Sequence, residues 1–179
     1  NGAVWRSPTL VEREALREGI RLIVENLEKC DANITSASLQ QLLLKAGYEI
    51  TLETLKEGRL VFVRERLPGF GGGLFVFRCG QSAPVILQAP HAFYDAKTGG
   101  IARRLFVEGP YRGAFWNTVH RYKSRPDETE ADPVHPADVA HQFGSLFQSA
   151  TIGCALASGA RLRFFQIHGF QKGAVPYDV

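Results

Sequence analysis

Apolar residues recur at helical spacing along the first fifty residues, and a denser strand-like pattern follows. The capping-box pair Thr9 and Glu12 opens a periodic run that predicts a helix over residues 8–29. A second apolar face begins after Ser38 and ends at Gly47, which predicts a helix over residues 38–47. The signal of residues 48–57 is mixed, and Leu52 and Leu55 allow a short helix there.

The rest of the chain alternates between strand and helix patterns. Runs rich in β-branched and aromatic residues predict strands at 59–67, 74–78, 85–89, 113–119 and 161–167. Between the later strands, helical spacing predicts helices around 101–106 and 143–158, the second capped by Asp132 or Asp138. The glycine-rich segment Pro68–Gly73 is predicted to be a turn or loop, and the tail from Gly169 to Val179 shows no strong pattern. This order predicts an α/β fold with a mixed, partly parallel sheet flanked by helices.

Composition narrows the class of protein. The chain has 179 residues, 45% of them hydrophobic and 22% charged, which suits one globular domain over residues 1–179. A net charge of +3 without a basic block does not suggest nucleic-acid binding. No apolar run approaches the roughly 20 residues of a membrane span, so we expect none.

Two features bear on processing and redox state. The chain starts at Asn1 and contains no methionine, which indicates that a segment was removed and slightly favours a secreted or periplasmic protein. The same features are also compatible with a chain that is one piece of a larger, processed two-chain protein. Cys30, Cys79 and Cys154 are an odd number, so either one disulfide and a free thiol or three buried thiols are expected.

Polar residues cluster where three predicted strands end. They are His91 and Asp95, then Asn117, His120 and Arg121, and finally His168. If the strands are parallel, these clusters share one edge of the sheet, where α/β proteins bind ligands. Histidine and carboxylate side chains are zinc ligands, and a catalytic zinc site keeps one position open for water. We therefore predict a zinc site made by His91, Asp95 and His168.

The residues after the second strand suit substrate binding. The guanidinium fork of Arg121 can hold a carboxylate in two hydrogen bonds, and Asn117 can supply an orienting amide. His120 is a candidate general acid or a further ligand. A competing group is His135, Asp138 and His141, in which helical spacing would bring the last two together.

The turn that carries His91 and Asp95 resembles the first metal-ligand pair of the zinc carboxypeptidases, whose fold is shared by the N-formylglutamate amidohydrolases. The resemblance covers residues 85–170. It implies a metallohydrolase of amide or peptide bonds, with Asn117 and Arg121 gripping a substrate carboxylate and His168 as third ligand. The chain departs from that pattern by using Asp where Glu is usual, with three residues between the ligands instead of two.

Two further departures concern the substrate-binding pair and the general base. The usual adjacent Asn-Arg pair is separated here by three residues, and no Glu follows His168 to serve as general base. The alternative hypothesis is a non-catalytic interaction module, or a subunit of a processed assembly, in which the histidines are structural.

Overall fold

A computed structural model describes residues 5–67, 71–127, 129–158 and 161–169 of the chain. Residues 68–70 of the predicted turn, Gly159 at the predicted end of the last helix, and tail residues 170–179 lie outside this part. The helices are α1 (Leu10–Asn26), a short 3₁₀ helix (Ala32–Thr35), α2 (Ala37–Lys45), α3 (Thr98–Glu108) and α4 (Leu146–Ser158). The strands are β1 (Tyr48–Leu55), β2 (Gly58–Glu65), β3 (Leu74–Arg78), β4 (Ala83–Ala89), β5 (Tyr111–Trp116) and β6 (Arg163–Gln166).

These strands form one sheet in the order β1-β2-β3-β5-β4-β6. The neighbours from β1 through β3 to β5 are antiparallel, whereas β4 runs parallel to both β5 and β6. The predicted mixed sheet is therefore confirmed. Since β4, β5 and β6 are parallel, their carboxyl ends lie at the same edge of the sheet.

Helices cover both faces of this sheet. Successive residues of a strand point to opposite faces, and in β4 Ile86 packs in the cluster with α1 and α4 while Leu87 packs with Phe106 of α3. Helix α1 packs against both α2 and α4, and α3 packs on β4 and β5. Burial of apolar side chains on both faces therefore fixes the register of the central strands. None of the helices in the described ranges has both the length and the apolar composition that a membrane crossing requires.

The first helix follows its sequence signal closely. The Thr9 side chain accepts a hydrogen bond from the Glu12 backbone, and the Glu12 carboxylate accepts one from the Thr9 backbone, so the predicted capping box is confirmed. Helix α2 begins slightly earlier than Ser38 suggested, because Ser36 rather than Ser38 is its capping residue. Strands β5 and β6 are each shorter at their carboxyl ends than the predicted strands.

Two local predictions were wrong. Residues 52–55 are not helical but belong to β1, which pairs with β2 from Tyr48 opposite Glu65 to Leu55 opposite Gly58. Cross-strand pairing across this tight hairpin overrides the weak helical spacing of two leucines. The last helix starts at Leu146, where the Ser145 side chain accepts from the Gln148 backbone, so neither Asp132 nor Asp138 caps it. The predicted helix began at residue 143, but Phe143 precedes α4 and is 93% exposed.

The cysteines match the first alternative. Cys30 and Cys79 form a disulfide with their Cα atoms 5.5 Å apart, which ties the chain after α1 to the end of β3. Cys154 is free and fully buried on α4, and burial raises the pKa of its thiol. A structural disulfide is typical of proteins that mature in an oxidising compartment.

Candidate metal centre

The parallel strands bring the predicted residues to one edge. His91 follows β4 after Pro90, Asn117 follows β5 directly, and His168 follows β6. Backbone hydrogen bonds continue past the strand ends, from Asn117 N to Ala89 O at 3.2 Å and from Ile167 N to Gln88 O at 2.8 Å. The segments that contain the candidate ligands are therefore held in register with neighbouring strands of the sheet.

A turn after β4 places His91 and Asp95 on the same side. The backbone N–H of Asp95 donates to the carbonyl of His91 at 2.9 Å, as in one turn of a helix. Residues four apart in such a turn are neighbours, and His91 Nδ1 lies 3.4 Å from Asp95 Oδ2. Gly169 N donates to the same carboxylate oxygen at 2.8 Å, which joins this turn to the end of β6.

His168 completes a compact group with these two side chains. Its Nδ1 lies 3.8 Å from Asp95 Oδ2, and its ring centre lies 5.1 Å from that of His91. Tetrahedral zinc with bonds of about 2.0–2.1 Å separates its ligand atoms by roughly 3.3 Å, so the donor atoms already lie near the required spacing. The side chains of His91 and Asp95 are 3% and 7% exposed, whereas that of His168 is 39% exposed, which leaves one side open.

Hydrogen bonding selects which nitrogen of His91 faces the group. His91 Nε2 lies 2.8 Å from Asp138 Oδ1, and because a carboxylate only accepts, His91 donates there. A neutral His91 then carries its lone pair on Nδ1, opposite an oxygen of Asp95. Two acceptor atoms at 3.4 Å repel each other unless a proton or a metal cation lies between them.

His168 shows the same arrangement. Its Nε2 donates to the side-chain oxygen of Gln166 at 3.1 Å, so the neutral ring also presents the Nδ1 lone pair towards Asp95. Burial is the main cause that lowers the pKa of His168, and it favours this neutral form. The residues therefore fit a zinc ion held by two Nδ1 atoms and one carboxylate oxygen.

Asp138 is the centre of a second, adjoining network. Its side chain is 5% exposed, and its Oδ2 accepts from His141 Nδ1 at 3.0 Å and forms an ion pair with Arg121. Burial alone would raise the pKa of this carboxyl, but hydrogen bonds from His91 and His141 and the charge of Arg121 bring the pKa well below its usual range. Asp138 is therefore an ionised, buried carboxylate that orients His91.

In the structure, the competing metal group contains a different set of residues from the one predicted. Asp138 and His141 do meet, but in a series of turns rather than on a helix, and their partner is His91 rather than His135. The His135 ring packs instead on Tyr122, with centres 4.4 Å apart. Since Arg121 already neutralises Asp138, a divalent cation at that carboxylate would meet a guanidinium charge. The group of His91, Asp95 and His168 is the better cation site.

A cleft of about 610 Å³ opens beside this group, and Asp95, His168, Arg121 and Glu130 are the acidic and basic residues of its lining. The Arg121 guanidinium lies 5.4 Å from the ring centre of Tyr94 and 5.0 Å from that of Tyr122. Its ion pair and these two rings hold it rigidly at the cleft wall. Tyr94 also donates to Glu130 at 3.2 Å, and its hydrogen bond with Tyr122 is the main cause that raises its pKa to about 12.

The other two predicted residues lie further from the centre. Asn117 is fully buried, its Oδ1 accepts from Val119 N at 3.3 Å, and its Nδ2 has no hydrogen-bond partner among the described residues. It lines a separate apolar cavity next to α3, not the cleft with Arg121. His120 accepts from Tyr122 N at 3.2 Å through Nδ1 and packs on Tyr94.

Sequence reasoning missed the hydrogen-bond partners that orient the histidines. The pairing of Asp138 with His91 spans 47 residues and has no local signal. Gln166 and Gln88 were treated as strand residues, although a glutamine inside the otherwise apolar strand β4 is a signal that a buried polar partner exists. Comparisons of the chain with protein-family models, curated proteins and solved structures found no match.

Proposed function

We propose that this protein is a zinc-dependent hydrolase of amide or peptide bonds whose substrate carries a free carboxylate. The observation that supports the proposal is the convergence of His91 Nδ1 and His168 Nδ1 on the Asp95 carboxylate at 3.4 and 3.8 Å. Each ring is oriented by an acceptor on its far nitrogen, which is how proteins prepare histidines for a metal. The open cleft beside the group gives a substrate access to it.

When bound, zinc would polarise the substrate carbonyl and lower the pKa of a coordinated water. Arg121 then provides the positive charge that binds the substrate carboxylate in the cleft. Asp138 and the two tyrosines hold this guanidinium in place, so little side-chain freedom is lost when the substrate binds. Because Asp138 pairs with Nη2 of Arg121 and Nε is buried, the substrate carboxylate binds through the remaining N–H groups at the Nη end of the guanidinium.

Two residues are candidates for the general base that transfers the proton. Glu130 is the glutamate that lines the cleft, and its Oε1 accepts from Tyr94. A carboxylate at this wall can accept a proton from an attacking water and pass it to the leaving amine. His120 is the second candidate, since it packs on the same tyrosine. Asn117 lines the apolar cavity next to α3 rather than this cleft, so the proposal gives it no contact with the substrate.

The test is metal analysis and hydrolysis with the full chain. We expect one zinc per chain after gentle purification, and release of product from N-formyl-L-glutamate or from an N-acetylated dipeptide with a free carboxylate. His91→Ala and His168→Ala should each remove the zinc and the activity. Phe143→Ala, at a 93% exposed position, is the control and should change neither.

Three results separate the alternatives. Loss of zinc in His141→Ala but not in His168→Ala would move the metal to the group around Asp138. Zinc binding without turnover of either probe would restrict the site to a structural or binding role. A wild-type chain without stoichiometric zinc, unchanged by His91→Ala, would contradict the hydrolase and favour the non-catalytic module.

A further inference from the structure

A row of side-chain hydrogen bonds leads from α4 across two strands to His168. His168 Nε2 lies 3.1 Å from Gln166 Oε1, Gln166 Nε2 lies 2.9 Å from Gln88 Oε1, and Gln88 Nε2 lies 2.8 Å from Thr151 Oγ1. The last hydroxyl donates to the carbonyl of Phe147 at 3.0 Å. Four elements of the chain (α4, β4, β6 and the segment after β6) are thus joined in one row.

The direction of these hydrogen bonds is determined at the α4 end. The Thr151 hydroxyl donates its single proton to the Phe147 carbonyl, so in this arrangement it accepts from the Gln88 amide. The Gln88 oxygen then faces the amide nitrogen of Gln166. The Gln166 oxygen in turn faces His168, which must present an N–H at Nε2.

Burial makes this direction costly to reverse. Gln88 is 1% exposed, and reversing its amide would place a donor against the donor of Gln166 and an oxygen against the lone pairs of Thr151. A buried polar group that loses its partner carries the full cost of desolvation. The backbone of the same residue accepts from Ile167, which holds β6 in register with the row.

We infer that Gln88 and Gln166 are positioning residues that direct Nδ1 of His168 towards Asp95 and so set the metal affinity of the centre. This inference rests on the proposed function, because it assigns to both glutamines an effect on zinc. His91 is oriented by a charged partner, Asp138, whereas His168 is 39% exposed and relies on this neutral row. Outer hydrogen-bond partners of metal ligands typically contribute about 10- to 100-fold in metal affinity.

The test compares substitutions of Gln166 in the full chain by zinc titration against a chelating dye. Gln166→Leu removes the acceptor and should weaken zinc binding by about 10- to 100-fold. Gln166→Glu keeps an acceptor for Nε2 but loses the donor to Gln88 Oε1, so it should weaken zinc binding less than Gln166→Leu does. Phe165→Leu, at the adjacent 60% exposed position of β6, is the matched control and should leave the affinity unchanged.

A second readout does not require zinc. In the metal-free protein, the Nε2 proton of His168 should be visible by NMR as a slowly exchanging imidazole signal, and Gln166→Leu should abolish it. Thr151→Val should also speed its exchange, with no additional effect in the Gln166→Leu background. Failure of zinc binding in the wild type with a preserved signal would contradict the proposed function, but not the positioning of the ring.

Two results would overturn the inference. One is an unchanged zinc affinity and an unchanged imidazole signal in Gln166→Leu. The other is an equal loss of affinity in Gln166→Leu and Gln166→Glu, because that would show a packing effect of the side chain rather than the need for an acceptor.

Discussion

Asp138→Asn is the most informative single substitution, because Asp138 connects the candidate centre to the cleft. The carboxylate is 5% exposed and interacts with His91, His141 and Arg121. The amide has nearly the same shape but no charge, so the guanidinium of Arg121, which is 19% exposed, loses its counter-ion. Its Nε already has no hydrogen-bond partner among the described residues.

The expected magnitude follows from this burial. Removing one partner of a buried ion pair costs about 3–5 kcal/mol, because the remaining charge is left without compensation. In a chain of this size each kcal/mol lowers Tm by about 2–4 °C, so Asp138→Asn should lower Tm by roughly 6–20 °C. Loss of the orienting acceptor of His91 should also weaken zinc binding by about 10- to 100-fold.

The same residue predicts a pH dependence. The pKa of Asp138 is lower in the folded protein than in the unfolded chain, so its stabilisation is complete above the unfolded value of about 3.9. This stabilisation is lost as the pH falls below that value towards the folded pKa. Wild type should therefore lose stability in acid more steeply than Asp138→Asn, and the difference between the two should shrink as the pH falls towards 2.

The assay is thermal unfolding from pH 7 to pH 2 together with zinc titration at pH 7. Asp132→Asn is the matched control, because Asp132 forms a more exposed pair with Arg125 at 3.1 Å and should contribute at most about 1 kcal/mol. An Asp138→Asn protein within about 0.5 kcal/mol of wild type at pH 7 would refute the reasoning, since that is the range of neutral surface substitutions.

Two further predictions concern the scaffold. A Cβ atom at Gly153 would lie 2.4 Å from the Arg17 carbonyl oxygen, where α4 packs on α1. Gly153→Ala should therefore destabilise the protein by about 1–3 kcal/mol, measured by denaturant unfolding. The control is Gly100→Ala, which should be neutral or stabilising because no atom lies within 4 Å of the added Cβ. Equal effects of the two alanines would contradict the close approach of the helices. The Cys30–Cys79 disulfide closes a separation of 49 residues, so its reduction should lower stability by about 2–4 kcal/mol, and an unchanged Tm under reducing conditions would argue against the bond.

Much of this protein was determined by local sequence patterns. The capping box at Thr9, the alternation of strands and helices, and the polar residues after strand ends follow from hydrogen bonding and burial within a few residues of one another. The topology rule for parallel strands then predicted that His91, Asp95 and His168 share an edge, and the structure brings them together.

Only the tertiary structure decided how these residues work as a group. The acceptor for His91 comes from a residue 47 positions away, and the row that orients His168 joins residues 63 and 78 positions apart. The strand at 52–55 likewise depends on its hairpin partner rather than on its own spacing. Hydrogen-bond direction and cross-strand pairing depend on which residue the fold brings near. The local pattern of the sequence does not identify that residue.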